Sequence, residues 1–286
     1  MPSYSTYLPP DDRPVAIQFS GGRSSAYMLW HIMQAYGGTL PDDVHVLFQN
    51  TGREMPETLD FVQAVTNHWG IKIVWLEYIA EKPGFEIVGH NSASRNGEPF
   101  KALLQKKKYA PNRVARFCTA ELKVRAARRY LISIGLTRWT ACIGFRADEK
   151  TRVLKMLKSR EGRQRPFMPM AMAGVSKHDV AAFWKRQPFD LKLPIVNGKT
   201  PMGNCDGCFL KSEKNRAYLA RYHPERAKWW NDIEQENGWF FSPPEEQKTW
   251  KDLIDFVGQQ PDWIHNLSDD ESPLCATSFG GCFDDG

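Results

Sequence analysis

Short apolar runs alternate with longer amphipathic ones at the start of the chain. Val15-Ala16-Ile17-Gln18-Phe19 predicts a buried strand. From Ser25 to Tyr36, Ala26, Leu29, Trp30 and Met33 recur at helical spacing, and Gly37-Gly38 ends that helix. Val44 to Gln49 predicts a second strand. Pro56 to Trp69 predicts a helix with Leu59, Val62, Ala64 and Val65 inside, and Ile71 to Leu76 a third strand. Strand and helix in strict alternation imply a parallel sheet with helices on both faces, because each crossover between parallel strands must pass over the sheet.

The pattern then loosens. Glu81 to Lys101 is loop-rich, Ala120 to Ile134 predicts a strongly basic helix, and Trp139 to Ile143 a short strand ending in Gly144. Ser176 to Lys185 predicts another helix. Leu191 to Gly207 is rich in Pro and Gly, Ser212 to Asn237 is helical and aromatic, and the chain after Trp263 reads as irregular. The expected fold is α/β, a doubly wound, mostly parallel sheet with helices on both faces and a C-terminal helical extension that carries cysteines. The expected organisation is a tail over 1–13, a nucleotide-binding domain over 14–187 and the extension over 188–286.

Of the 286 residues 42% are hydrophobic, which supports a sizeable core and argues against wholesale disorder. No stretch reaches the roughly 18 apolar residues a membrane helix needs, so no membrane partner is expected. Met1 to Asp12 is polar and Pro-rich, unlike a signal peptide, and a cytoplasmic location is expected. The net charge of +5 says less than its distribution. Lys101, Lys106, Lys107, Lys108, Arg113, Arg116, Lys123, Arg125, Arg128 and Arg129 form one basic run opposed only by Glu121, and a second run spans Lys150 to Arg165. Such runs suit a polyanion, including a nucleic acid, or form a solvated helix face.

Ser20-Gly21-Gly22-Arg23-Ser24-Ser25 lies between the first strand and the first helix. Two glycines let the backbone turn tightly and aim N–H groups at one point, and the helix N-terminus adds partial positive charge. The hydroxyls of Ser20, Ser24 and Ser25 and the guanidinium of Arg23 are expected to complete an anion cage. Arg146 and Arg152 follow a predicted strand end, where open α/β sheets bind ligands, and Lys123 follows Cys118. These three are the candidate catalytic cations.

Six cysteines are present: Cys118, Cys142, Cys205, Cys208, Cys275 and Cys282. Cys205-Asp206-Gly207-Cys208 has the spacing of a metal or iron–sulfur ligand pair, or of a redox pair. A pair supplies only two of four ligands, and Cys282, with Cys275 as its rival, is a candidate for the fourth. Cys142 lies in an apolar strand and reads as core. Trp229, Trp230, Trp239, Phe240, Phe241 and Trp250 read as a small helical core over the sheet rather than as base-stacking groups.

The segment Phe19-Ser20-Gly21-Gly22-Arg23-Ser24-Ser25-Ala26-Tyr27-Met28 resembles the PP-loop of the ATP pyrophosphatases, the adenine nucleotide alpha hydrolase-like superfamily. Within it the chain is most similar to the phosphoadenosine phosphosulfate (PAPS) reductase family, including its phage-encoded members. Asn50-Thr51-Gly52-Arg53-Glu54-Met55-Pro56-Glu57-Thr58, Arg116 to Lys123 and Gly144 to Arg152 resemble three further family segments in the same order. The resemblance implies nucleotide contacts from Ser20, Gly21, Gly22, Arg23, Ser24, Ser25, Asn50, Thr51, Gly52 and Gly144, with ATP or PAPS as substrate. It places a phage-encoded chain in the host cytoplasm. Ser24 stands where the usual loop has Asp, which weakens the case for a magnesium ion there. Asn50 replaces another Asp.

On the family resemblance of its Arg116 to Lys123 segment, Cys118 is the candidate third ligand. The early lone Cys118 with later cysteines is similar to the DNA phosphorothioation sulfurtransferases, and on that resemblance a 4Fe-4S cluster is favoured over zinc. Three functions follow as expectations. The first is ATP-dependent adenylylation of an acceptor, with a nucleic acid as candidate, followed by sulfur transfer with a sulfur donor protein. The second is PAPS or adenosine phosphosulfate reduction with an electron donor protein, releasing sulfite. The third is a nucleotide- or nucleic-acid-binding protein with reduced catalysis.

Overall fold

The computed structural model describes residues 4–158, 162–241 and 248–260. Six strands form one sheet: β1 (Val15–Gln18), β2 (Val44–Asn50), β3 (Ile73–Glu77), β4 (Glu86–Val88), β5 (Trp139–Ile143) and β6 (Gln164–Phe167). Their spatial order is β4-β3-β2-β1-β5-β6, and every neighbouring pair is parallel except β3 with β4. Central β1 pairs Val15 with Val44 on one side and with Thr140 on the other.

Both faces of the sheet are covered, so the strands read as continuous apolar runs rather than as alternations. On one face Val15, Ile17 and Phe19 join Leu29 and Ile32 of helix α1 (Arg23–Ala35) and Leu59 and Val62 of α2 (Pro56–Trp69). On the other, Ala16, Leu47 and Leu76 meet Ala126, Ala127, Tyr130 and Leu131. This is the expected α/β fold, doubly wound and mostly parallel. Gly70 takes a left-handed backbone, φ 64°, and closes α2.

Several expected boundaries move. Glu81 to Lys101 is not wholly loop: it contains the antiparallel edge strand β4 and the start of α3 (Glu98–Lys107). The basic helix starts earlier, as α4 (Phe117–Thr119), widens into a π turn (Ala120–Arg125) and continues as α5 (Ala126–Ser133). Its lone acid Glu121 is buried and gathers Arg125 at 2.6 Å, Lys107 at 3.4 Å and Arg129 at 3.6 Å, so part of the basic run is neutralised from within.

Beyond α6 (Lys150–Leu157), α7 (Pro169–Met172) and α8 (Lys177–Trp184), the long helix expected from Ser212 to Asn237 is two. These are α9 (Glu213–Tyr222) and α10 (Pro224–Asn237), because Pro224 lacks an amide hydrogen and starts a new helix. With α11 (Trp250–Gln259) they form a cap. Trp230, Phe241 and Trp250 are buried there, and Trp230 and Phe241 meet Phe100 of α3. Most of the aromatic stretch is therefore core, with Trp229 and Trp239 partly buried and Phe240 exposed. Cys275, Cys282 and the segment after Trp263 lie outside the described residues. Among the described residues no helix is long and apolar enough to cross a membrane.

Candidate functional site

Sheet order reverses at β1: β2 and β3 lie to one side, β5 and β6 to the other. Crossover helices leave such a point in opposite directions, and a crevice opens beyond the carboxyl ends of the two central strands. The Ser20–Ser25 turn follows β1, and Gly144 to Arg152 follows β5, so both segments face that crevice. The cleft encloses ≈ 390 Å³. Ser20 to Ser25, Gly144, Arg146 and Arg152 all line it.

Local chemistry shapes the turn. Gly21 has φ +73°, and a Cβ there would sit 2.8 Å from Thr58 Cγ2, so both conformation and space call for glycine. Gly144 lets β5 come close: a Cβ would lie 3.2 Å from Ser25 Cα. The Ser20 amide donates to Ser25 Oγ at 3.2 Å, and Ser25 Oγ donates to the Gly22 carbonyl at 2.9 Å. No side chain caps the N-terminus of α1, which leaves its positive end to the cleft. Arg146 donates to Ser24 Oγ at 3.0 Å and to Asp148 Oδ1 at 2.9 Å. Arg152 is ion-paired with Glu149, and its guanidinium lies 4.3 Å from the Phe145 ring centre.

Arg23 lines the cleft, and its guanidinium is engaged by protein groups. Its side chain is buried, and its guanidinium donates to Asp190 through two nitrogens at 2.7 and 2.8 Å and to Thr200 Oγ1 at 3.0 Å. It also donates to the carbonyls of Leu191 and Leu193. These partners use the fork to fasten the 190–200 segment to the turn.

Asn50, Thr51, Gly52 and Lys123 do not line the phosphate cleft. Asn50 is fully buried; its amide donates to Glu77 Oε1 at 2.6 Å and to the Ser94 carbonyl at 2.8 Å. Burial is the main effect on Glu77 and raises its pKa, against the hydrogen bonds from Ser94 and Asn50. Gly52, at φ +76°, packs against Gly97, 2.9 Å from where its Cβ would be.

Thr51 and Lys123 instead line a second, smaller pocket of ≈ 30 Å³ together with Cys118, Cys205, Cys208 and Trp230. Three of the expected ligand cysteines are thus brought to one place. Thr51 Oγ1 lies 3.3 Å from Cys205 Sγ, and Lys123 Nζ lies 3.6 Å from the buried Glu54. Among the described residues, no group of three His, Cys, Asp or Glu side chains is arranged to hold a metal ion. The donor set is nonetheless soft and clustered, which fits iron–sulfur or zinc ligation in kind. Cys142, by contrast, is fully buried in β5, and burial pushes its thiol pKa up, so it belongs to the core.

The loop between Cys205 and Cys208 is held by a residue that sequence reasoning passes over. Asp206 is fully buried and accepts from Arg53 at 2.8 Å, from Trp230 Nε1 at 2.8 Å and from Arg226. Burial depresses the Arg53 pKa, against the pull of Asp206. Gly207 is required because any Cβ there would overlap the Trp230 indole. A charged residue inside a Cys-x-x-Cys loop is the available signal, but its partners lie far away in sequence.

The sheet order, the strand–turn–helix unit at its reversal point and the arginines facing it define an α/β protein of the PP-loop type. The chain belongs to the phosphoadenosine phosphosulfate reductase domain family, whose sequence model matches residues 14–185. It is 33% identical over 204 residues to the "Uncharacterized nin region protein ORF290" of Escherichia phage lambda, a match covering 68% of this chain and 66% of that relative, just under two thirds of its length. A shorter match, 42% identical over 64 residues, covers 22% of this chain and 12% of the "Uncharacterized protein MJ0066" of Methanocaldococcus jannaschii. Among solved structures, the U34-tRNA thiolase NcsA from Methanococcus maripaludis with its 4Fe-4S cluster aligns over 96% of this chain and 84% of the thiolase, with TM-score 0.43 and 12% sequence identity.

Proposed function

We propose that the chain is an enzyme of nucleotide-dependent sulfur transfer, of the ATP pyrophosphatase type. The observation that carries this reading is the adjacency of two sites. Gly203 and Asn204 line the phosphate cleft, and the next residue, Cys205, lines the thiol pocket. A nucleotide held by Ser20, Gly21, Gly22, Ser24, Ser25 and Gly144 presents its phosphates to Arg146 and Arg152. An acceptor oxygen then attacks the α-phosphorus, pyrophosphate leaves, and the two arginines stabilise the charge that develops. A sulfur nucleophile displaces AMP from the activated acceptor. Thiols beside the cleft are where such a sulfur would be held.

Cys118, Cys205 and Cys208 would hold a 4Fe-4S cluster; with three thiolates the remaining iron would offer a binding position for sulfur, and Cys282 or Cys275 as a fourth ligand would close it. Lys123 places a cation in the same pocket. The acceptor class is nucleic acid, favoured by exposed Lys101, Lys106, Lys108 and Arg113 on the part of the basic run that Glu121 does not neutralise. A soluble sulfur donor completes the cycle, and the proposed setting is the cytoplasm.

The test is anaerobic incubation of the full chain with ATP, a sulfide source and RNA or DNA, with PAPS in parallel. Pyrophosphate and AMP in step with sulfur in the nucleic acid are expected. Sulfite from PAPS with no pyrophosphate from ATP would replace this reading by the reductase one. Tight nucleotide binding without turnover of either would leave a binding protein.

A further inference from the structure

Residues 190–206 run as a strap from the mouth of the phosphate cleft to the thiol pocket. Arg23 holds its near end through Asp190, Leu191, Leu193 and Thr200. Lys211, buried at 4% exposure, holds its middle by donating to the carbonyls of Pro201 and Gly203. Asp206 holds its far end on Arg53, Arg226 and Trp230. Gly198, Lys199, Thr200, Gly203 and Asn204 face the cleft along the way.

This geometry has a direct mechanical reading. Arg23 is the first residue of α1, and its neighbours Gly22 and Ser24 line the cleft. One guanidinium, reaching Asp190, Thr200 and the Leu191 and Leu193 carbonyls, fixes the strap to the turn. A bidentate arginine–carboxylate pair is directional as well as strong, so it sets position and not only proximity. The Trp184 indole donates to the Arg23 carbonyl at 3.0 Å and fixes the backbone from the other side.

We propose that Arg23 is a positioning residue for the Cys205–Cys208 loop: it bolts the strap to the phosphate turn, so that occupancy of the cleft is felt at the two thiols. An anion in the cleft contacts strap and turn together and tightens the strap. Loosening the bolt exposes Cys205 and Cys208, which are 9% and 7% exposed in the closed arrangement. The ligand-dependent part rests on the nucleotide reading above; the bolt itself does not.

The experiment measures alkylation of each cysteine by N-ethylmaleimide, read by mass spectrometry on the full, metal-free chain, with ATP binding measured on the same samples. Asp190→Asn and Thr200→Val each remove partners of Arg23 without touching a cleft arginine, and Arg23→Lys keeps the charge but loses the fork. Without ligand, all three are expected to speed labelling of Cys205 and Cys208 by roughly tenfold, the scale of one lost charge-assisted bond. Cys142, and Cys118 on the helix side of the pocket, keep their rates. ATP slows labelling of Cys205 and Cys208 in the unsubstituted chain, and that slowing is lost in the variants. Unchanged Cys205 and Cys208 rates in the variants overturn the bolt, as does a parallel rise at Cys118 and Cys142, which marks general loosening. ATP binding with no change in labelling overturns the coupling. Absence of ATP binding removes the nucleotide reading and, with it, the coupling to ATP, while the variant rates alone still decide the bolt.

Discussion

The phosphate cleft encloses ≈ 390 Å³ and is walled by a turn, a helix N-terminus, two strand ends, α8 and the 191–204 segment. The thiol pocket encloses ≈ 30 Å³ and is walled by side chains from five separate segments, from Thr51 through Phe100, Cys118, Cys205 and Trp230. The cleft is seeded by backbone geometry at a sheet reversal and closed by the distant 191–204 segment; the pocket rests throughout on side chains from distant parts of the chain. In the cleft Arg146 and Arg152 pair with Asp148 and Glu149, whose side chains keep 37% and 13% exposure. Beside the pocket, Arg53 and Asp206 are paired at 3% and 0% exposure. Perturbing the pocket should therefore cost folding stability, and perturbing the cleft should cost ligand affinity.

The largest effect is expected at Asp206. Asp206→Ala leaves Arg53 and Arg226 without their buried carboxylate, a loss of about 4 kcal/mol of folding stability. Urea unfolding measures it. ATP affinity per folded molecule should fall only by the few-fold that reciprocal coupling through the strap permits. A loss of affinity as large as the loss of stability would show that the two regions are one unit.

Arg146→Ala makes the opposite expected pattern. Removing a charge-assisted phosphate contact weakens ATP binding by about 2 kcal/mol, roughly thirtyfold, by calorimetry. Unfolding stability should move by less than about 1 kcal/mol, since Asp148 is partly solvated and Glu149 keeps Arg152 as its partner. A stability loss comparable to that of Asp206→Ala would break the comparison from the other side.

The same contrast decides how much of the site is legible in the sequence. Ser20 to Ser25 and Gly144 to Arg152 are contiguous, and each follows a strand, so their chemistry and their meeting point can both be read directly. Pro56–Trp69 and Trp139–Ile143 are legible to the residue because capping, periodicity and breaker signals agree there. The partners of Arg23 are not legible, because nothing in Ser-Gly-Gly-Arg-Ser-Ser reveals Asp190 and Thr200, more than 160 residues away. That Thr51, expected at the nucleotide, and Lys123, expected among the catalytic cations, line the thiol pocket is illegible for the same reason: their order in the chain is visible, and the direction of their side chains is not. The edge strand Glu86–Val88 escapes because its three residues are exposed or half-buried and carry no apolar alternation.

Acid sensitivity separates the two regions with opposite signs. His31, on the helix that carries the phosphate turn, stacks on Tyr7 with ring centres 4.9 Å apart, and burial lowers its pKa to about 4. The unfolded chain binds that proton near pH 6.5 and the folded chain only near 4. Stability is therefore full above about 6.5 and declines as pH falls between those values, by up to about 3 kcal/mol. Burial raises the pKa of Glu234, in the helical cap, against hydrogen bonds from the Trp250 and Phe241 amides. Its contribution is present below the ordinary carboxylate pKa and is lost as pH rises through the folded value, so acid relieves it. Unfolding series from about pH 4.5 to about 7.5 should lose their acid decline in His31→Leu and keep it in Glu234→Gln. An acid decline that survives His31→Leu places the sensitivity outside the α1 core.

The smallest expected effect is at Ser24, and it bears on how the cleft carries negative charge. Ser24 Oγ accepts from Arg146 Nη1 at 3.0 Å, so Ser24→Asp sets a carboxylate against the same guanidinium that meets phosphate. In EDTA that carboxylate competes with the ligand, and ATP should bind about 1 kcal/mol more weakly, roughly fivefold. With magnesium present the same carboxylate offers an oxygen ligand to the metal, and the loss should shrink or reverse. Equal weakening with and without magnesium would mean that no metal sits at this turn, so that Arg146, Arg152 and the α1 amides neutralise the phosphates alone. No weakening in EDTA would mean that Arg146 does not meet the phosphates from its place beside Ser24, and the cleft would then depend on the backbone turn, the part of the site most plainly written in the sequence.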